Sequence, residues 1–216
     1  MIPIVMTAAA DSHKIRSVTV YCSSSSQLAP VFVHAAAELG RTLAANDWRL
    51  VYGGNDVGMM GVLAGAVRAA GGRVVGVTPQ LFMDKGVADH ACDELHVTAC
   101  MRERKGLMER RGDAFLTLPG GLGTFEEIFE IIVGKQLGYH AKPIALLNVG
   151  GYFSPLLAMI DHGIEQHFIK TASRDLLFVA GAVEEAVAYF KSYQPPELAD
   201  KWFKPAPADA IAAEAD

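Results

Sequence analysis

The stretch PGGLGTFEE, residues 119–127, holds the residue types and spacing best suited to chemistry. Gly120, Gly121 and Gly123 remove side chains from one turn, so backbone N–H groups can close on a ligand oxygen. Thr124 can cap a following helix and also donate its hydroxyl. The start of that helix favours an anion, because its first amides are unpaired and its dipole is positive there. Together these features describe a phosphate cradle, in which Leu122 supplies only a backbone amide. No Gly-Lys-Ser/Thr follows, so this is not a Walker A loop, and the first strand carries no GxGxxG dinucleotide fingerprint. An ordinary glycine-rich turn is the bland alternative; three glycines followed by two acids argue against it. Glu126 and Glu127 should fall in the first turn of the helix, near the ribose of any 5′-phosphate held in the cradle. A carboxylate there can stabilise an oxocarbenium ion at C1′ or orient a water. The helix dipole should keep it ionised, and one of the two acids can serve that dipole alone.

Three further segments carry chemical potential. Gly53-Gly54-Asn55-Asp56-Val57-Gly58 follows a short strand and opens a helix, which suits a second wall of a nucleotide site. Asn55 there tolerates left-handed backbone angles better than most residues. In Met101-Arg102-Glu103-Arg104-Lys105, helical spacing puts Met101, Arg104 and Lys105 on one face. An apolar residue beside two cations suits a base next to a phosphate; taken alone, the run reads better as a solvated charged helix. Ser23-Ser24-Ser25-Ser26 offers hydroxyls to a phosphate or base, and fits a capping turn equally well.

These loops need a scaffold that gathers strand ends. Residues 17–22, 49–52, 73–78, 94–98, 114–118, 143–147 and 176–179 read as strands. Between and after them, residues 31–45, 59–70, 101–111, 124–137, 155–168 and 183–193 read as helices. Near-continuous apolar strands alternating with helices imply an α/β, Rossmann-like, doubly wound parallel sheet with helices on both faces, in a single domain. Its body should span residues 15–193, between a flexible leader at 1–14 and a Pro/Ala/acid-rich tail at 194–216, where Trp202 and Phe203 can still dock.

Composition limits the partners. Hydrophobic residues make up 51% and charged residues 20% of 216, which is globular and slightly apolar-rich. A net charge of −5 makes the chain a poor general binder of nucleic acid. Cys22, Cys92 and Cys100 show no CxxC spacing, and the histidines no HxxxH or HxH. The expectations are reduced thiols, no metal site, no cofactor, no signal peptide or membrane span, and a cytoplasmic location.

The serine-rich loop, YGGxxxGMMG, MxxRK and PGGxGTxEE occur in this order, and in that combination the chain closely resembles the Lonely Guy family from about Ser17 to about Tyr193. That family consists of cytokinin riboside 5′-monophosphate phosphoribohydrolases and was long labelled "possible lysine decarboxylase". The resemblance implies a homodimer that cleaves the N-glycosidic bond of an adenine-type ribotide, giving free base and ribose 5-phosphate. It implies Arg104 and Glu127 as the catalytic pair. Gly121, Leu122, Gly123 and Thr124 match the phosphate turn, and Lys105 a ligand-contacting cation. Ser24, Gly53, Gly54, Gly58, Met101, Gly120 and Glu126 complete the expected substrate-binding set. Departures cluster near the base. Ser23 and Gln27 replace the glycines of GSSSG, and Asn55 the third glycine of YGGG. Arg102 stands where many members have His, Gly86 where many have Glu, and Val133-Gly134 where a Thr-Trp pair is usual.

Two other functions compete. A nucleotide carrier of the molybdenum-cofactor-carrier type shares the PGGxGT turn, but has no need of a carboxylate at C1′. A pyridoxal-phosphate lysine decarboxylase needs a buried Schiff-base lysine, for which Lys85, Lys105, Lys135 and Lys142 qualify only as lysines.

Overall fold

In the computed structural model, which describes residues 14–195, the apolar runs form strands and the longer segments between them form helices. The order is β1 (Ser17–Tyr21), α1 (Pro30–Ala45), β2 (Arg49–Tyr52), α2 (Gly58–Ala69), β3 (Val74–Pro79), α3 (Gln80–Asp84) and β4 (Glu94–Thr98). It continues with α4 (Met101–Arg111), β5 (Ala114–Thr117), α5 (Leu122–Gln136), β6 (Ile144–Leu147), α6 (Ser154–Glu165), β7 (Phe178–Ala180) and α7 (Val183–Ser192). Short 3₁₀ turns cover Val149–Gly151 and Thr171–Leu176. The leader up to residue 13 and the tail from residue 196, with Trp202 and Phe203, lie outside the described residues.

The strands make one seven-stranded sheet in the order β4-β3-β2-β1-β5-β6-β7. Every pairing is parallel. Alternation along each strand divides the core in two. Val18, Val20, Leu50, Tyr52, Leu116 and Leu147 face α1, α2 and α7. Tyr21, Val51, Val75, Phe115, Ile144 and Leu146 face α4, α5 and α6. Both faces are therefore covered, which is why the strands read as unbroken apolar runs rather than polar alternations. Each fully buried Val or Leu contributes roughly 1.5–3 kcal/mol. The sheet is thus doubly wound, as its sequence pattern implies.

Strand order reverses between β1 and β5. Ligands in such sheets bind at the carboxyl ends beside that reversal. There Tyr21 and Thr117 end neighbouring strands, so the serine cluster and the PGGLGTFEE turn open side by side. Ser23 N–H donates to Pro119 O at 3.3 Å and joins them.

Several local expectations need correction. Helix α5 begins at Leu122, not Thr124, and its N-cap is Gly121, with extended backbone and no side-chain cap. Thr124 therefore sits inside the first turn rather than capping it. Glu126 and Glu127 fall in the second turn, where the dipole acts more weakly. The left-handed positions of the second loop are Gly54 (φ 69°) and Gly58 (φ 57°), not Asn55. The last strand starts at Phe178, because Thr171–Leu176 winds into a 3₁₀ turn first. The sixth helix ends at Glu165, ahead of His167 at φ 63°. The short helix α3 has no counterpart in the sequence reading; its five residues are too few to display a helical period.

Candidate active site

The chemistry-bearing loops converge on one cavity of about 420 Å³ at the carboxyl ends of the strands. The turn after β5 forms one end of it. The first intrahelical bond of α5 runs from Phe125 N–H to Gly121 O at 3.0 Å. The amides of Leu122, Gly123 and Thr124 are left without intrahelical partners at a positive helix end. All three residues line the cavity with Gly121. Gly120 lies just behind: a Cβ there would run into the side chain of Thr124. The Tyr152 hydroxyl donates to Gly120 O and holds the turn from outside.

The loop after β2 forms a second wall. Gly58 packs so closely that a Cβ would meet the carbonyls of Ser24 and Ser25. Gly54 would likewise crowd the Val77 backbone, 2.9 Å from its nitrogen. Asn55, 4% exposed, lines the cavity and accepts a 3.0 Å hydrogen bond from Thr78 Oγ1. The segment after α3 braces this loop: Asp56 N–H donates to Val87 O at 2.9 Å, and Asp89 N–H to Gly54 O at 2.8 Å. Asp89 is held in turn by Tyr52 and Arg68, each at 2.7 Å.

The floor is a buried ion pair. Arg104 on α4 and Glu127 on α5 are 3% and 6% exposed. Arg104 Nη1 donates to Glu127 Oε1 at 2.9 Å, and its Nε to Val77 O at 3.0 Å. Burial raises the Glu127 carboxyl above the usual glutamate range, while Arg104 pulls it back by charge and hydrogen bonding. The dipole-based expectation of an ordinary ionised acid thus meets a larger opposing effect, because the second helical turn is both buried and further from the dipole. A buried charge is sustained only by a partner, and here each member of the pair is the other's partner. Cys22 lines the cavity as well, and burial pushes its thiol well up, so it is not a ready nucleophile.

Of the expected site residues, the cavity is lined by Ser24, Met101, Arg104, Gly121, Leu122, Gly123, Thr124 and Glu127. Gly53, Gly54, Gly58 and Gly120 stand behind its walls. Lys105 and Glu126 face one another outside it: Lys105 Nζ lies 2.5 Å from Glu126 and 2.6 Å from Glu130. Burial would lower the Lys105 ammonium, but these two acids prevail and raise it. The sequence reading did not identify Phe82 on α3, which lines the cavity, or Tyr152, which clamps the turn. The only sequence signal for Tyr152 is an aromatic pair after a glycine pair, a pattern with many other uses.

Among the described residues, no lysine lines this cavity. Lys135 is buried elsewhere, donating to Leu176 O at 3.0 Å, and Lys142 donates to Glu109 O at 2.6 Å. Among the described residues the cavity therefore offers no Schiff-base amine. A larger hollow, about 920 Å³, opens at the opposite ends of β1, β2 and β3 between Arg16, Arg49 and Arg73, remote from the glycine-rich loops.

Residues 60–190 match the family model described as "Possible lysine decarboxylase". A cytokinin riboside 5′-monophosphate phosphoribohydrolase of Rhodococcoides fascians is 44% identical over 178 residues, covering 82% of this chain and 90% of that one. LOG5 of Arabidopsis thaliana, of the same name, is 41% identical over 182 residues, with 84% and 80% covered. Among solved structures, the molybdenum cofactor carrier protein of Chlamydomonas reinhardtii superposes with a TM-score of 0.62 over 82% of this chain and 97% of that one, at 24% identity. That last likeness is one of fold. With identities above 40% across more than four fifths of its length, and with the motif residues gathered around one cavity, the chain belongs to the Lonely Guy (LOG) family.

Proposed function

We propose that this protein hydrolyses the N-glycosidic bond of an adenine-type nucleoside 5′-monophosphate, N6-substituted cytokinin forms included, to free base and ribose 5-phosphate. The observation that carries the reading is the buried Arg104–Glu127 pair in the same cavity as the unpaired amides of α5. The 5′-phosphate sits on the amides of Leu122, Gly123 and Thr124. That anchoring sets C1′ one helical turn further in, beside Glu127. Glu127, ionised, stabilises positive charge developing at C1′ and orients the attacking water, while Arg104 keeps the carboxylate charged and aimed. The apolar side chains of Met60, Phe82 and Met101 leave the remaining wall to the base. Ser24 adds a hydroxyl at the rim. Holding the phosphate turns a bimolecular encounter into a positioned reaction. A carrier would have no use for a buried carboxylate at this place.

Curated relatives carry this activity in their names. A homodimer and a cytoplasmic location belong to the same proposal. The dimer is supported by apolar residues exposed on α5 and just beyond α6, namely Phe129, Val133 and Phe168. No helix among the described residues is long and apolar enough to cross a membrane.

The test is base release by the purified full-length chain from a panel of nucleoside monophosphates. The expected result is adenine or a substituted adenine set free, and loss of that activity by at least 100-fold in Glu127→Ala and in Arg104→Ala with unchanged circular dichroism. A wild-type protein that frees no base from any purine or pyrimidine monophosphate would overturn the proposal.

A further inference from the structure

Gly53 and Gly54 are adjacent, yet a side chain would meet different things at each. At Gly54, φ is 69° and a Cβ would press on the Val77 backbone, so a substitution there strains the main chain. At Gly53 a Cβ would run into Arg104 Nη2 and would lie 3.3 Å from Arg104 Cζ and 3.1 Å from Met60 Sδ. Side-chain ends, not backbone, occupy that space. The guanidinium is tethered by Val77 O and by Glu127 Oε1, so it cannot step aside and keep both bonds.

We propose that Gly53 is a positioning residue: its missing side chain is the space that lets the Arg104 guanidinium reach Glu127. This rests on reading Arg104 and Glu127 as the catalytic pair. A methyl group at residue 53 pushes the guanidinium plane away from the carboxylate while leaving the strand end and the fold intact. The titratable groups that act on Glu127 are Tyr21 at the end of β1, Cys22 just after it, Arg104 beside the carboxylate, and the more distant charges of Lys105 on α4 and Glu126 on its own helix. Of these only Arg104 both carries a positive charge and bonds the carboxylate. When it moves, burial is left less opposed, and Glu127 holds its proton to higher pH.

Gly53→Ala, Arg104→Ala and the double variant decide the matter by two readouts. The first is the titration of Glu127 in the free protein, followed by carbon-13 NMR. The second is the pH profile of kcat for base release. In Gly53→Ala the fold persists, Glu127 titrates about one pH unit higher, and kcat on the acid limb falls about tenfold. In the Arg104→Ala background, Gly53→Ala adds no further change to either readout. An unshifted Glu127 titration in a folded Gly53→Ala protein overturns the proposal. So does an equal loss in both backgrounds, which would point to Met60 or the backbone. Failure of Gly53→Ala to fold also overturns it, since the steric cost would then lie in the main chain. The NMR titration needs no turnover, so it decides the positioning role even if no monophosphate is hydrolysed.

Discussion

At the scale of residues, the site depends on a few groups held by others. Tyr152 shows the pattern: it does not line the cavity, yet its hydroxyl holds the carbonyl of Gly120, next to Gly121. Tyr152→Phe keeps the ring, which packs against Phe32, Phe125 and Phe153, and deletes only that donor. One hydrogen bond of this kind is worth roughly 0.5–1.5 kcal/mol. The expected result is a KM for nucleoside monophosphate raised roughly two- to tenfold with kcat nearly unchanged. Cleavage of the same nucleoside without its phosphate, where measurable, should not respond. A fall in kcat with constant KM would show that the turn holds the transition state rather than the phosphate.

At the scale of elements, α5 carries two roles along one length. Its start lines the cavity, and its far end buries Lys135 against Leu176 O and the Tyr193 ring, 4.9 Å away. Lys135 is fully buried, and burial lowers its ammonium to about 8. The unfolded chain holds that proton up to an ordinary lysine value of about 10.4. Below pH 8 the folded state carries the full cost of a buried charge. Between about 8 and 10.4 the folded lysine is neutral while the unfolded one is not, so stability from this group rises with pH across that window. The total is on the order of 3 kcal/mol. Lys135→Met should remove this rise, seen as a flatter pH dependence of the urea midpoint relative to wild type between pH 7 and 10.5. A slope identical to wild type would show that Lys135 finds its compensation in the folded state.

At the scale of the whole molecule, apolar surface is unevenly distributed. Phe129 and Val133 on the outer face of α5 and Leu137 just past its end recur every four residues and are 40%, 42% and 41% exposed. Phe168, 88% exposed, rims a groove of about 220 Å³ with Phe129, Ile132 and Ile160. Exposed apolar residues aligned in this way mark an interaction surface. If a second copy covers it, Phe129→Asp with Val133→Asp should halve the mass seen by light scattering without unfolding the protomer. A monomeric wild type at micromolar concentration would remove the dimer from the proposal.

The legibility of the protein follows from the range of its interactions. The alternation of apolar strands and helices and the glycine-rich turn after β5 are local patterns, so they are legible in the chain; the parallel sheet pairs strands far apart, such as Val18 with Ala114, and is implied because strands alternating with helices can pair only through crossovers. The sequence by itself also determined which residues could do chemistry, and family motifs singled out Arg104 from a run that otherwise reads as a charged surface. Only the tertiary structure decided that Arg104 is buried while Lys105, one residue on, is held by Glu126 and Glu130. It alone decided that Phe82 and Tyr152 belong to the site and that α5 starts at Leu122. The physical reason is common to these cases. Burial, and with it the raised carboxyl of Glu127, comes from chain segments far apart in sequence, and no local pattern records which of them will meet.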